Sequence, residues 1–303
     1  MVIYGLLNSN PSDSVQYIRI SKAFLGEGNA LIFARQKDSI NYPDILDVKL
    51  QRIQNGAVVQ TYSLQRDTTI SKNSGLFYSP YQVLYKLNRS QIPLKASNQY
   101  KLTVHNNQTG ISATSETIIV DSIINSRPSQ SPLLINFNFT SPIYYTAEFY
   151  PAANAYVYNI TIRFHYKEVN LTTHDTLSKY VDWNLGDLIT NEFRIQFVNI
   201  YRPDLYRIVG SSVVPADTNT IRRMFDSPPI EFVFTAGTED LYIYQQLVQP
   251  SYGLIQERPL FTNVENGVGL LTSRYMKSLF YNLDGISRAA FDTSRYTRNL
   301  YFH

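Results

Sequence analysis

The side chains best suited to acid–base or metal chemistry are the four histidines. They are His105, His165, His174 and His303. None lies in a ligand-spaced pair such as HxH or HExxH. His165 and His174 could meet across a turn with Asp175 or Asp182 nearby, which would suit a zinc or an acid–base site. Because His165 falls on the polar side of an alternating segment, we favour an ordinary exposed histidine.

Carboxylates are the second candidate for chemistry, since glycoside hydrolysis needs two of them held across the scissile bond. The eligible residues are Asp182, Asp187, Glu231, Glu239 and Asp240. Their positions in the sequence do not pair any two of them. A carbohydrate-active hydrolase using loop carboxylates of the second half of the chain therefore stays open as an alternative.

Motifs for nucleophilic catalysis and phosphate binding are missing. The chain has no cysteine, and Ser211-Ser212 after Gly210 lacks the GxSxG strand-to-helix frame. The GEGN run at 26–29 lacks the Lys-Ser/Thr that follows a phosphate-binding loop. No catalytic centre, metal site or cofactor is predicted, and the interpretation favours a protein that is not an enzyme.

The one segment that combines a large aromatic, a histidine and acids surrounds the only tryptophan. We expect any binding site to lie at Trp183 with Tyr180, Asp182 and His174, in a segment that does not read as a strand. Tyrosine and tryptophan suit such a site because one part of each side chain is apolar and another is polar. The alternative that Trp183 fills the core of its domain also stays open.

The elements that would position these residues are mainly β-strands. The run YVYNITIRFHY at 156–166 places Tyr158, Ile160, Ile162 and Phe164 on one side and polar residues on the other. Because successive side chains of a strand point to opposite faces, this predicts a strand with one buried and one wetter face.

Short strands separated by turn residues fill the first 120 residues. They are predicted at 2–7, 15–20, 45–53, 58–64, 81–87, 99–105 and 113–120, with a short helix starting in 30–36. Asn55-Gly56 predicts a hairpin because both positions of that turn need positive φ. About seven strands in this spacing predict an immunoglobulin-like β-sandwich at 1–122.

A larger β-rich domain is predicted to follow. Residues 123–132 have the Ser, Pro and Asn content of a linker, and the second domain spans 133–303. A helical insert near 190–210 is predicted from Phe193, Phe197 and Tyr201 at helical spacing, with a second short helix between Pro203 and Gly210. Segments 230–235 and 240–248 are predicted strands, and the tail at 287–303 a closing strand.

Charge and composition exclude some partners. Basic residues number 27 against 24 acidic ones, a net charge of +3 that gives no steering toward nucleic acid. No run of apolar residues is long enough to span a membrane as a helix. Aromatic residues make up 14% of the chain and include 24 tyrosines, which favours strands and amphipathic contact surfaces.

Two segments of the second half carry a resemblance to a known group of proteins. FTAGTEDLYIYQQLVQPS at 234–251 and FTNVENGVGLLTSRY at 261–275 resemble the C-terminal signature of uncharacterised Bacteroidetes-type outer-membrane lipoproteins. The opening VIYGLLN and the segment YIRISKAFLGEG resemble their first strands. The resemblance implies export to the outer membrane or cell surface, with a lipid anchor on a cysteine of the precursor. It implies no activity.

We therefore expect a non-enzymatic, surface-exposed lipoprotein that binds a polysaccharide or another cell-envelope protein and meets the membrane only through its lipid anchor. The carbohydrate-active hydrolase is one alternative. A structural or assembly subunit that pairs through an exposed β-edge is the other.

Overall fold

The computed structural model describes residues 1–23, 29–129, 131, 133–138, 142–215, 217, 219–248 and 260–302. The strands are β1 (Val2–Asn8), β2 (Val15–Ser21), β3 (Leu46–Gln54), β4 (Ala57–Ser63), β5 (Gln65–Asp67), β6 (Leu84–Asn88), β7 (Gln99–Asn106), β8 (Ser112–Ile118), β9 (Ile124–Arg127), β10 (Leu134–Ile135), β11 (Tyr144–Tyr150), β12 (Val157–Asn170), β13 (Thr176–Ile189), β14 (Gln196–Tyr201), β15 (Ile221–Gly237), β16 (Val264–Glu265) and β17 (Val268–Leu283). The helices are α1 (Ala30–Ala34), α2 (Lys37–Ile40), α3 (Asp204–Ser212), α4 (Glu239–Val248) and α5 (Gly285–Thr293). His303 and most of the GEGN run lie outside the described residues.

The chain is mainly β, with 49% of its residues in strands and 13% in helices, which confirms the predicted fold class. It divides into two compact units that are not contiguous in sequence. The first unit contains 1–122, 153–157 and 237–275, and the second contains 123–152, 158–236 and 276–303. The chain changes unit after 122, where the linker was predicted, but 237–275 belongs to the first unit rather than to a domain at 133–303. Inside the predicted linker, β9 pairs with β11.

The first unit is a β-sandwich of two five-stranded sheets. One sheet has the order β17–β1–β2–β6–β5 and the other β16–β8–β7–β3–β4. Their inner faces share one core, in which Ile3, Leu50, Tyr100 and Leu102 are fully buried. The sandwich is completed by late chain segments, because β1 pairs in parallel with β17 and β8 pairs with β16.

The predicted strands of this unit are present because their apolar residues recur at every second position. In β7, for example, Tyr100, Leu102 and Val104 are buried while the residues between them are partly exposed. The hairpin between β3 and β4 turns at Asn55 and Gly56, with φ angles of 51° and 77°. These positive φ angles confirm the turn that the Asn-Gly pair predicts.

In the second unit, β13, β12, β15 and the second half of β17 are neighbours in one sheet, and the short β10 also pairs with β17. A smaller, three-stranded sheet consists of β14, β11 and β9. The larger sheet has an aromatic side, which we call the core face. On it, Phe164 stacks against Phe291 of α5 at 5.1 Å between ring centroids, and Phe234 contacts Phe149 of β11 at 6.2 Å. The buried rings of the core face therefore stabilise this unit.

The helical insert is only partly as predicted. The second predicted helix exists as α3, which begins after Pro203 as that residue's fixed φ favours. The first does not, because Gln196–Tyr201 forms β14 and pairs with β11. Gly210 lies inside α3 instead of ending it, and the backbone of Tyr296 leaves no room there for a Cβ atom.

Three other sequence predictions are wrong. Residues 239–248 form helix α4, not a strand. The segment around Trp183 is not irregular but lies in the 14-residue strand β13. The tail forms α5 and a series of turns, and Phe302 makes an isolated bridge to Arg223. None of the helices in the described part of the chain is both long and apolar enough to cross a membrane.

Candidate functional site

The side of the larger second-unit sheet that faces away from its aromatic core is the best candidate site, and we call it the polar face. Strand alternation sends Arg163 and His165 of β12 to this side while Phe164 between them is buried. The same alternation applies to the neighbouring strands. The polar face consists of Arg163, His165, Tyr180, Asp182, Glu231, Ser278 and Phe280.

Arg163 connects β12 to β13 on this face. Its Nε and Nη2 atoms donate to the two carboxylate oxygens of Asp182 at 2.6 and 3.0 Å. The guanidinium also lies over the ring of Tyr180, 4.3 Å from the ring centroid. The hydrogen bonds that Arg163 donates to Asp182 are the largest influence that raises the pKa of Arg163. A bidentate pair with a cation–π contact fixes both side chains in one geometry.

Glu231 is the nearly buried centre of a second network. One carboxylate oxygen accepts a hydrogen bond from the Ser278 hydroxyl at 2.6 Å, and the other contacts His165 Nε2 at 2.7 Å. Arg163 Nη1 lies 3.7 Å from the same oxygen as His165. Both oxygens of Glu231 are therefore occupied, as the burial of a carboxylate requires.

This network contains a serine, a histidine and an acid but does not have the order of a catalytic triad. In a triad the histidine lies between the nucleophile and the acid, so that it can take the hydroxyl proton. Here Glu231 lies between Ser278 and His165. Asp182, the other acid of the face, has both oxygens on Arg163. The arrangement holds side chains in place, and the Ser278 hydroxyl contacts the carboxylate of Glu231 rather than a histidine.

Aromatic rings cross the polar face in a row formed by Tyr180, His165 and Phe280. The His165 ring centroid is 6.3 Å from that of Tyr180 and 6.4 Å from that of Phe280. Tyr180 is 58% exposed and Phe280 45% exposed. Large rings this open on a strand offer flat apolar contact area beside hydrogen-bonding groups.

The structure does not bring the four residues predicted as a binding site together. Tyr180 and Asp182 lie together on the polar face, but Trp183 is only 9% exposed and points to the core face. His174 lies in the turn between β12 and β13, with φ of 61°. It does not join His165, which is bound to Glu231 in mid-strand. Among the described residues no group of three His, Asp or Glu side chains is placed to hold a metal ion.

Four residues of the face were not singled out for a binding site from the sequence: Arg163, Glu231, Ser278 and Phe280. Arg163 could have been found, because it alternates with the buried residues of the clearest strand and is next to His165 in that pattern. The pairing of β12 with β15 and of β15 with β17, which brings in Glu231 and Ser278, has no local sequence signal.

The structure places the acids considered for hydrolysis in different regions of the molecule. Glu239 and Asp240 begin α4 in the first unit and line a cavity of about 270 Å³ together with Glu116. Asp240 accepts a hydrogen bond from Asn263 at 2.9 Å, and Glu116 accepts one from Lys101 at 2.9 Å. Asp182 and Glu231 lie on the polar face of the second unit. Asp187, the remaining candidate, lines a separate cavity of about 260 Å³ in the second unit, beside Phe149 and Phe197.

Comparison with known proteins gives no functional match. No protein-family model matches the chain, and no curated protein matches it. One similar solved structure is titled "Cytokine receptor complex - Crystal form 1A". The match covers 95% of this chain and 98% of that one at 9% sequence identity, with a TM-score of 0.23. A similarity this low supports no argument about what the protein does.

Proposed function

We propose that this protein is a non-enzymatic, surface-exposed lipoprotein that binds a polysaccharide on the polar face of its second unit. The observation that carries the proposal is the exposed aromatic row of Tyr180, His165 and Phe280. Sugar rings have apolar C–H faces and a polar rim, so they match flat rings that lie beside charged and hydroxyl groups.

The dimensions of the row suit a polymer. Tyr180 is on β13 and Phe280 on β17, and β12 and β15 lie between those strands. Three strand spacings of about 4.8 Å separate the backbones of the two strands by about 14 Å. The contacts of both rings with His165 bring their centroids to within about 13 Å of each other. A ligand that contacts both rings must therefore be longer than one sugar ring.

Charge pairing on the face favours a neutral polymer. Arg163 is neutralised by Asp182, and Glu231 is bound by His165, Ser278 and the nearby Arg163. Because these groups are already paired, a ligand does not have to neutralise an isolated charge. The side chains are also held in place before binding, which reduces the entropy that binding costs.

The test is a glycan array followed by affinity measurement with the retained polysaccharide. Tyr180→Ala and Phe280→Ala are each expected to weaken binding by about tenfold or more, as central aromatic contacts do. The matched control is Tyr150→Ala, because Tyr150 is 48% exposed and lies on β11 of the other sheet of the same unit. Equal affinities for all three variants, or retention of no polysaccharide, would contradict the proposal.

A specific observation favours one alternative, assembly through a β-edge. β4 is the outer strand of its sheet in the described residues, carries no charged side chain, and exposes Val58 and Val59. Such an edge can pair with another strand. Oligomers that form with rising concentration in sedimentation would support this alternative, while release of reducing sugar from the retained polymer would support the hydrolase.

Export and lipid anchoring are a separate part of the proposal, supported by the resemblance of the segments at 234–251 and 261–275 to outer-membrane lipoproteins. Fractionation of cells that express the full precursor tests this part. Recovery in the cytosolic fraction would contradict it and would leave the binding test unaffected.

A further inference from the structure

A cavity of about 500 Å³ in the second unit combines two arginines with three tyrosines. Arg127 and Arg202 line it together with Tyr144, Tyr145 and Tyr281. Its volume falls in the range of small-molecule sites, which are mostly apolar with a few placed polar groups. No Asp or Glu is among its described lining residues, so the arginines give it a positive character.

Arg202 is the feature that points to a ligand. Its Nε atom is buried and has no hydrogen-bond partner in the described part of the protein. Nη1 makes a long contact of 3.3 Å to the side-chain oxygen of Asn136, and no carboxylate of the described residues pairs with the guanidinium. A buried donor without an acceptor is costly, and it is costlier when the group is charged. An anion bound in the cavity against the accessible part of the guanidinium would offset that cost by supplying the charge partner that Arg202 lacks.

The second arginine is more open. Arg127 lies 3.3 Å from Glu148, and its own side chain is 61% exposed while that of Glu148 is 17% exposed. Arg127 already lines the cavity, so it offers an anion a second positive charge without leaving Glu148.

The tyrosines supply walls and neutral donors. The ring of Tyr144 is half exposed and contacts that of Tyr201 at 5.4 Å, and Tyr281 donates to the carbonyl of Pro128 at 3.2 Å. Burial raises the pKa of Tyr145 to about 12 and that of Tyr281 to about 12. Both hydroxyl groups stay protonated at neutral pH and do not add negative charge to the cavity.

We propose that this cavity binds a small carboxylate whose body is a ring, such as a hexuronate, with the carboxylate on Arg202 and Arg127 and the ring against the tyrosines. The planar guanidinium fork matches the two oxygens of a carboxylate. The ring packs on flat aromatic walls. This site is distinct from the polar face and does not depend on the function proposed for that face.

The test is isothermal titration with galacturonate, with galactose as the neutral counterpart of the same ring. Galacturonate is expected to bind and galactose is not, and the affinity should fall as salt rises because the contact is ionic. Arg202→Gln is expected to weaken galacturonate binding by about tenfold to a hundredfold, the usual range for a hydrogen bond to a charged group.

Two further variants keep the result interpretable if Arg202→Gln does not fold. Tyr144→Ala removes an exposed wall and should also weaken galacturonate binding. Arg194→Gln is the matched control, since its side chain is 79% exposed, pairs with Glu192 and does not line the cavity. Equal binding of galactose and galacturonate, unchanged binding in Tyr144→Ala, or no binding of galacturonate at about 10 mM would overturn the proposal.

Discussion

The two faces of the second unit's larger sheet are built by the same strands and have opposite roles. Trp183 and Asp182 are adjacent in β13, yet Trp183 is buried on the core face and Asp182 binds Arg163 on the polar face. Phe232 and Glu231 show the same contrast in β15. Burial of rings stabilises the unit from one side, while the other side holds side chains in fixed positions without depending on them for folding. Alternation therefore separates the core of the unit from the surface proposed for binding at single-residue spacing.

The contrast is tested most directly by a pair of substitutions in β13. Trp183→Ala is expected to lower the free energy of unfolding by about 3–5 kcal/mol, because it removes a large ring from the core face and leaves a cavity. Tyr180→Ala on the polar face should change it by about 0.5 kcal/mol or less. Urea unfolding followed by circular dichroism measures both. Similar losses in the two variants would show that the faces do not divide as proposed.

The buried carboxylate of Glu168 on the core face allows a second comparison, between a buried and an exposed ion pair. Glu168 is nearly buried and pairs with Arg223 at 3.0 Å and Lys179 at 2.5 Å. Glu168→Gln leaves Arg223 buried without its carboxylate, and we expect a loss of about 3 kcal/mol at pH 7. The exposed pair of Glu192 with Arg194 provides the control, because Glu192→Gln should cost about 0.5 kcal/mol or less.

This pair also predicts a dependence on pH. Burial alone would raise the pKa of Glu168, but the hydrogen bonds and charges of Lys179 and Arg223 outweigh it and hold the pKa below its usual value. A depressed pKa stabilises the folded state above the unfolded pKa of about 4.3, and that stabilisation is lost as the pH falls below it. The difference between the native protein and Glu168→Gln should therefore shrink between pH 5 and acid. A difference that grows on acidification would contradict this assignment.

A smaller effect than that of Glu168→Gln is expected from the ion pair on the polar face. Arg163 and Asp182 have side chains that are 30% and 41% exposed, so solvent screens their attraction. Arg163→Gln should lower the free energy of unfolding by about 1 kcal/mol or less, even though its hydrogen bonds are well formed. A loss as large as that of Glu168→Gln would mean that the polar face contributes to folding as much as the core face.

The sequence predicts the core face of β12 and the strands of the first unit because apolar residues alternate there without interruption. In β13 the same pattern is present at Leu177, Val181, Trp183 and Leu185, but Lys179 interrupts it. That lysine is partly buried because it pairs with Glu168. A strand is thus easily missed when one position of its alternating apolar pattern holds a charged residue that is paired in the folded protein.

Two other predictions, the helix through Phe197 and Tyr201 and the strand at 240–248, are wrong for reasons of residue spacing and helix capping. Phe197 and Tyr201 are four residues apart, and that spacing places side chains on one face of a strand as well as of a helix. In α4 the helical signal was local: Thr238 Oγ1 accepts a hydrogen bond from the Leu241 amide, and Glu239 and Asp240 fill the first turn. A capping residue followed by acids indicates a helix start even where no strong periodicity follows.

The candidate site was predictable only in part for a different reason. Tyr180 and Asp182 were found because unusual residues cluster around them, and Arg163 and His165 share a face by alternation. Glu231 and Ser278 join them through pairing of strands that are distant in sequence, which no local pattern encodes. The cavity around Arg202 was not predicted, since its walls come from the predicted linker at 123–132, from the predicted helical insert near 190–210 and from other segments that carry no local signal of a site.

Because β1 pairs in parallel with β17, this pairing can form only after nearly the whole chain has been synthesised. Val2 lies opposite Val268 and Asn8 opposite Arg274. At a translation rate of about 5–20 residues per second, the synthesis of β17 follows that of β1 by roughly 15 to 50 seconds. During that time the nascent chain holds an unpaired strand edge, which makes it a substrate for chaperones. Contacts this distant in sequence also slow folding, so the sandwich of the first unit closes late.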